Sequence, residues 1–319
     1  MSLRIAGFAA LVCCAACAIA QDYPTKPIRL VVPFPPGGAT EPLARMLAQK
    51  LPETLGQQVV VDNRGGAGTT IGVEFATRAP ADGYTLLLAS IANAISASLY
   101  PKLNYDLVRD IAPVTLLATT SGVLVAHPTL PVKTVRELIA LAKARPGQLA
   151  YGSWGSGTLN HLSAELFNML AGIQLVHVPY KGGGPAVIAL LSGETPLAFP
   201  STPSAIQYIR SGRMRALGVS TAQRVASLPE VPTIAEAGVK GYDAETWYGL
   251  AVPARVPKEL VARLHAETTR AFAQPEVRER LDAMGYTVRT SSPEEFGAFM
   301  RSEVAKWAKV IATTKMKAD

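Results

Sequence analysis

Short apolar runs and amphipathic stretches alternate along the whole chain. Residues 28–32, 58–62, 84–88, 122–126, 148–151, 174–178, 196–199, 216–219 and 248–252 are brief and apolar, without strict alternation of polar and apolar positions. That pattern predicts strands whose two faces are both covered by helices. The stretches between them carry helix signals. Thr134 precedes Glu137 by three residues, the spacing of a capping box, and Leu138 and Leu141 form an inner face before Pro146-Gly147 stops the helix. Ser292-Pro293-Glu294-Glu295 opens a last helix on which Phe296, Phe299, Met300, Val304, Trp307 and Ile311 recur at helical spacing. Another helix begins at Pro257 and turns Leu260, Val261, Leu264 and Phe272 inward.

Strands alternating with helices predict an α/β protein built of βαβ units, with mainly parallel sheets flanked by helices. The chain has no repeat period, low-complexity tract or flexible linker. Two stretches read as crossings between lobes: 113–127, β-prone and interrupted at 119–122, and 220–247, irregular and rich in Pro and Gly. The expected division is one discontinuous lobe over 21–123 and 222–319, and a second over 124–221.

Composition narrows the picture. Arg4 precedes an uncharged stretch from Ile5 to Ala20, and Ala18-Ile19-Ala20 fits the small-x-small rule for signal-peptide cleavage after Ala20. The stretch is shorter than the ~20 residues a spanning helix needs. Lipidation at Cys17 is disfavoured because Cys14 stands where a Leu-like residue is wanted. All three cysteines lie within this segment, so the exported chain has no disulfide or thiolate chemistry. Loss of Arg4 takes the formal charge from +7 to 7 − 1 = +6. The basic residues are scattered rather than interleaved with aromatics, which argues against nucleic acid and for mild attraction of anions.

One arrangement recurs four times: a buried strand, a tight turn of small residues, and a helix starting at Ser or Thr. The instances are 31–40 ending at Thr40, 88–93 around Ser90, 151–158 ending at Thr158, and 199–202 with Ser201 and Thr202. A helix start leaves backbone N–H groups unpaired and carries partial positive charge, and Ser/Thr hydroxyls add donors. Such corners solvate an anionic group, and in open α/β sheets they gather at the carboxyl ends of strands. Two corners fall in each expected lobe, so all four can face one cleft. Enzyme motifs fail: neither Ser153 nor Ser156 has glycine on both sides at the nucleophile-elbow spacing, and no dinucleotide fingerprint or P-loop is present. His127, His161, His177 and His265 show no metal spacing. His161, in the first turn after Thr158, reads equally as a solute contact and as a packing residue.

The chain resembles the Bug/TctC family, the extracytoplasmic solute receptors of tripartite tricarboxylate transporters. The matching segments include Tyr23-Pro-x-Lys-Pro-Ile-Arg-Leu-Val-Val-Pro-Phe-Pro-Pro-Gly-Gly38, Val61-Asp-Asn-Arg-Gly-Gly-Ala-Gly68 and Ala81-Asp-Gly-Tyr-Thr-Leu86. Further on are Tyr151-Gly-Ser-x-Gly-x-Gly-Thr158 with His161, then His177-Val-Pro-Tyr-Lys-Gly-Gly183. Leu228-Pro-Glu-Val-Pro-Thr-Ile-Ala-Glu-Ala-Gly238 and Trp247-Tyr-Gly-Leu-Ala-Val-Pro-Ala254 complete the set. The resemblance implies a two-lobed, type II-like periplasmic binding protein fold that closes on a small carboxylate and works as a monomer with membrane permease subunits, without cofactor or metal. It also implies ligand contacts at Phe34, Gly38, Thr40, Ser90, Ala92, Ser153, Gly155, Ser156, Thr158, His161, Ser201 and Thr202. Tyr248 is added as a ring able to close over a ligand. Two positions depart from the family pattern: Glu41 replaces the usual Asp after Thr40, and Pro200 stands where many relatives carry an Asp. The second removes a counter-charge for an ammonium group, so the expected ligand is a carboxylate without one. Alternative readings are a transporter-independent sensor that feeds a membrane kinase, and a periplasmic hydrolase using Ser153, Ser156 and His161.

Overall fold

The computed structural model describes residues 23–36, 40–100, 102–180, 182–314 and 316. The expected signal peptide, with its cysteines, and Gly38 lie outside the described residues. In chain order the first elements are β1 (Ile28–Val32), α1 (Glu41–Leu55), β2 (Val59–Asn63), α2 (Thr70–Thr77), β3 (Thr85–Ser90), α3 (Ile91–Leu99) and β4 (Ile111–Thr120). Next come β5 (Val123–Ala126), α4 (Val135–Ala144), β6 (Ala150–Ser153), α5 (Leu159–Ala171), β7 (Val176–Pro179), α6 (Gly183–Ser192), β8 (Leu197–Ala198), α7 (Thr202–Arg210) and β9 (Arg215–Val219). The chain ends with β10 (Thr246–Pro253), α8 (Lys258–Ala273), α9 (Pro275–Ala283), β11 (Thr287–Val288) and α10 (Pro293–Thr314).

Two sheets form, one per lobe. The first has the order β11-β4-β10-β3-β1-β2 and the second β7-β6-β8-β5-β9. β3 is buried along its whole length, as cover on both faces demands. The expected parallel pairing holds for β1 with β2 and β3, and for β6 with β7 and β8. Each sheet is nevertheless mixed rather than mainly parallel. β10 runs antiparallel to β3 and β4, and β5 antiparallel to β8 and β9. The cause is the crossing itself: the chain leaves the first sheet along β4 and returns along β10, so these neighbours must point in opposite directions.

The first crossing is short, Ser121 and Gly122; the second spans 220–245. Ser220 ties the two together: its Oγ accepts from Gly122 N–H at 2.7 Å and donates to the Ala244 carbonyl at 2.9 Å. One hydrophobic cluster runs from Val31, Leu87 and Leu116 beneath the first sheet to Leu124, Tyr151 and Leu197 of the second. The helix signals hold in detail. Glu137 N–H donates to Thr134 Oγ1 at 3.1 Å, and Ser292 and Glu295 cap each other reciprocally at 3.1 and 2.9 Å. Phe296, Met300 and Trp307 are buried under α10, with Phe299 and Val304 half-buried beside them.

Candidate functional site

Four helix starts meet at one place. Thr40 precedes α1, Ser90 precedes α3, Thr158 precedes α5 and Ser201 precedes α7. All four line a single cavity of about 650 Å³ between the lobes. Thr40, Thr158 and Ser201 do not close their own helices with a side-chain cap bond. At Ser90 the backbone N–H donates to Asn93 Oδ1 at 2.7 Å in a capping box, and the buried hydroxyl makes only a weak contact with the Asn93 N–H. The first-turn amides and their dipoles thus converge on one space, where an anion finds donors without meeting a formal charge.

The walls are apolar. Phe34, Pro35, Trp154, Leu159, Phe199 and Tyr248 surround the polar caps. Among the described lining residues there is no Asp, Glu, Lys, Arg or His. A second chamber of about 320 Å³ shares Phe34, Ala92 and Thr158 with the first and adds Ser156 and Gly157. A larger groove of about 750 Å³ lies elsewhere, on the outer side of the first sheet, and is walled by Lys26, Arg29, Arg64 and Arg78. Its charges are already paired with Asp62, Glu74 and Asp82, and it touches none of the four corners.

Of the residues expected from sequence, Phe34, Thr40, Ser90, Ala92, Thr158, Ser201 and Tyr248 line the main cavity, and Ser156 lines the adjoining chamber. Ser153, Gly155, His161 and Thr202 stand behind the wall. Ser153 is fully buried, with Oγ 2.6 Å from His177 Nε2. Gly155 accepts from Thr158 Oγ1 at 2.7 Å. Thr202 Oγ1 meets Ser121 Oγ at 2.5 Å, tying α7 to the first crossing. His161 Nδ1 accepts the Gly157 N–H at 3.1 Å. Burial, and then the proximity of His177, push its imidazole down to about 4. Sequence reasoning missed Trp154, Asn160, Ser163 and Thr246 on the cavity wall. Trp154 sits inside the recognised turn and was legible; Asn160 and Ser163 depend on how α5 is rotated. Among the described residues no cluster of His, Cys, Asp or Glu could hold a metal ion.

The chain is similar to known proteins over most of its length. A family model described as "Tripartite tricarboxylate transporter family receptor" matches residues 43–316. A Pseudomonas protein, "UPF0065 protein in tcbD-tcbE intergenic region", is 41% identical over 93% of this chain and 89% of its own length. BugT of Bordetella pertussis is 38% identical over 93% of this chain and 92% of its own. Among solved structures, the R. palustris protein Rpa4515 with adipate is 34% identical, with a TM-score of 0.79 over 93% of this chain and 99% of that one. MatC from Rhodopseudomonas palustris with bound malate is 31% identical, with a TM-score of 0.76 over 91% of this chain and 100% of that one. The periplasmic binding protein BugD is 32% identical, with a TM-score of 0.76 over 93% of this chain and 100% of that one.

Proposed function

The chain belongs to the tripartite tricarboxylate transporter family of receptors, and from that premise we propose that it captures a small organic acid without an amino group between its lobes and delivers it to membrane permease subunits. The observation that carries the reading is the convergence of the four caps, Thr40, Ser90, Thr158 and Ser201, on one 650 Å³ cavity. Such a site replaces the hydration shell of a carboxylate with fixed N–H and O–H donors. The relatives with adipate and malate support the ligand class. The absence of a carboxylate side chain among the described lining residues supports discrimination against amino acids, whose ammonium group would be buried unpaired. Apolar walls favour a ligand with an apolar body.

The reading includes export to the periplasm after cleavage at Ala20, a monomeric receptor, and lobes dividing at 21–123 with 222–319 and at 124–221. The periplasmic relative BugD supports the location. Turnover is not part of it: Ser153 and His161, two of the three groups a hydrolase would need, do not line the cavity and are bonded to the turn itself.

A thermal-shift screen tests the ligand class, using adipate, malate, benzoate, aspartate and glutamate. A ligand held only by the folded state stabilises it by ~2.7 kcal/mol at a hundredfold excess over Kd. A non-amino acid should raise the melting temperature, bind at one site by calorimetry and be recovered unchanged. A response confined to aspartate or glutamate, or to none of the acids, would refute the ligand assignment. Uptake of the identified acid should be lost in cells lacking this chain and restored by its return.

A further inference from the structure

The turn 153–158 is part of the cavity wall through Trp154 and Thr158, yet its inner face rests on two imidazoles. His161 and His177 stack with centroids 3.6 Å apart and planes 13° off parallel. Each ring also holds the turn. His161 Nδ1 accepts the Gly157 N–H, and His177 Nε2 bonds Ser153 Oγ. That same Oγ reaches both the N–H and the carbonyl of Gly155, at 3.2 and 3.1 Å. The two histidines come from different elements, α5 and β7, so the pair joins the start of the helix to the sheet edge. We infer that His161 and His177 are positioning groups that hold the turn 153–158 in its ligand-accepting shape, and that acid releases this turn. The inference rests on the cavity being the ligand site.

The chemistry requires a neutral His161. A protonated Nδ1 cannot accept from Gly157, and two charged rings at stacking distance repel. Among the described residues, the groups that face His161 offer no compensating anion. Tyr151 approaches from β6, and His177 from β7. Glu165 lies one turn further along α5, with Oε1 already engaged by the Tyr151 hydroxyl at 2.7 Å and by Asn168. Burial adds to the cost of charging the ring.

Trp154 is a built-in reporter, because it belongs to the turn while Trp247 and Trp307 are fully buried elsewhere. The test is a ligand-free acid titration of tryptophan emission, with the Trp154→Phe signal subtracted, in the full exported chain. The wild type should change between near-neutral pH and about pH 4, the value to which His161 is pushed. His161→Asn keeps an acceptor for Gly157 that does not titrate, and should hold the neutral signal throughout. His161→Leu should show at neutral pH the signal the wild type reaches in acid. Equal titration of the wild type and His161→Asn would overturn the inference, as would a His161→Leu protein indistinguishable from wild type at neutral pH. If His161→Leu does not fold by circular dichroism, the Asn comparison decides alone. With adipate as the probe, affinity should fall more steeply with acid in the wild type than in His161→Asn, by up to about tenfold per pH unit, the loss expected when binding must displace one proton. Failure of adipate to bind counts against the ligand assignment, while the emission titration judges the histidine pair independently.

Discussion

Trp247 and Trp307 donate their indole N–H groups to one acceptor, Oε2 of Glu303, at 3.0 and 3.1 Å. The other carboxylate oxygen pairs with Lys306 Nζ, and Glu303 is almost fully buried. Trp247 is the second residue of β10, immediately before the cavity residue Tyr248, so this cluster fixes the returning strand to α10. Glu303→Leu leaves two buried donors unpaired and removes the partner of Lys306. We expect a loss of about 3 kcal/mol, read as a lower urea midpoint at unchanged slope. Glu303→Gln keeps one acceptor oxygen and should lose clearly less.

Ser90 behaves in the opposite way. Its buried hydroxyl makes only a weak cap contact with the Asn93 N–H, while the helix start is held by the Ser90 N–H bond to Asn93 Oδ1. Ser90→Ala removes a buried, weakly bonded hydroxyl and keeps that bond. Stability should therefore hold or rise by up to ~1 kcal/mol, whereas affinity for a carboxylate should fall roughly tenfold, the value of one hydrogen bond to a charged acceptor. Calorimetry and urea melts on the same preparation separate the two effects. A parallel loss of stability and affinity would mean that the hydroxyl serves the fold.

How much of this was legible depended on the range of the interaction. The corners at Thr40, Ser90, Thr158 and Ser201 are local: a buried strand, a small-residue turn and a cap lie within a few positions of each other. The stretch 113–127 reads as a β-prone crossing interrupted at 119–122, a signal too weak to mark β4 as a strand of its own. Pairing with β10 overrides that weakness, and Pro113 lies beside the register shift between Leu250 and Ala251, where a missing N–H costs least. β11 is two residues long and exists only against β4. The contact of Ser153 with His177 joins residues 24 positions apart, through strand pairing that no local pattern reveals.

The depressed imidazole of His161 makes stability pH-dependent with a definite sign. Its unfolded value is 6.5 and its folded value about 4, so between them the unfolded chain binds the extra proton. Stability should fall as pH drops from 6.5 to about 4, by up to ~1.4 kcal/mol per pH unit, and this contribution should level off below. Urea midpoints measured across that range in wild type and His161→Asn should diverge at neutral pH and converge in acid as the wild type loses its advantage. Parallel curves would show that His161 titrates equally in both states.

The lobes touch where Gly157, in the turn after β6, faces Leu99 at the end of α3. Gly157 adopts φ +74°, and a Cβ placed there would stand 2.7 Å from Leu99 Cδ2. Gly157→Ala therefore acts twice. Backbone strain in the left-handed region costs roughly 1–2 kcal/mol whether or not the lobes are together. The clash with Leu99 exists only while the lobes meet, so it weakens ligand capture beyond the loss of stability. Leu99→Ala in the same chain frees the space but leaves the strained backbone. We expect the double variant to recover affinity while its urea midpoint stays low, a coupling that a double-mutant cycle reads directly. If affinity in the double variant stays as low as in Gly157→Ala alone, strain in the turn accounts for the whole effect, and the contact with Leu99 has no part in holding the lobes on their ligand.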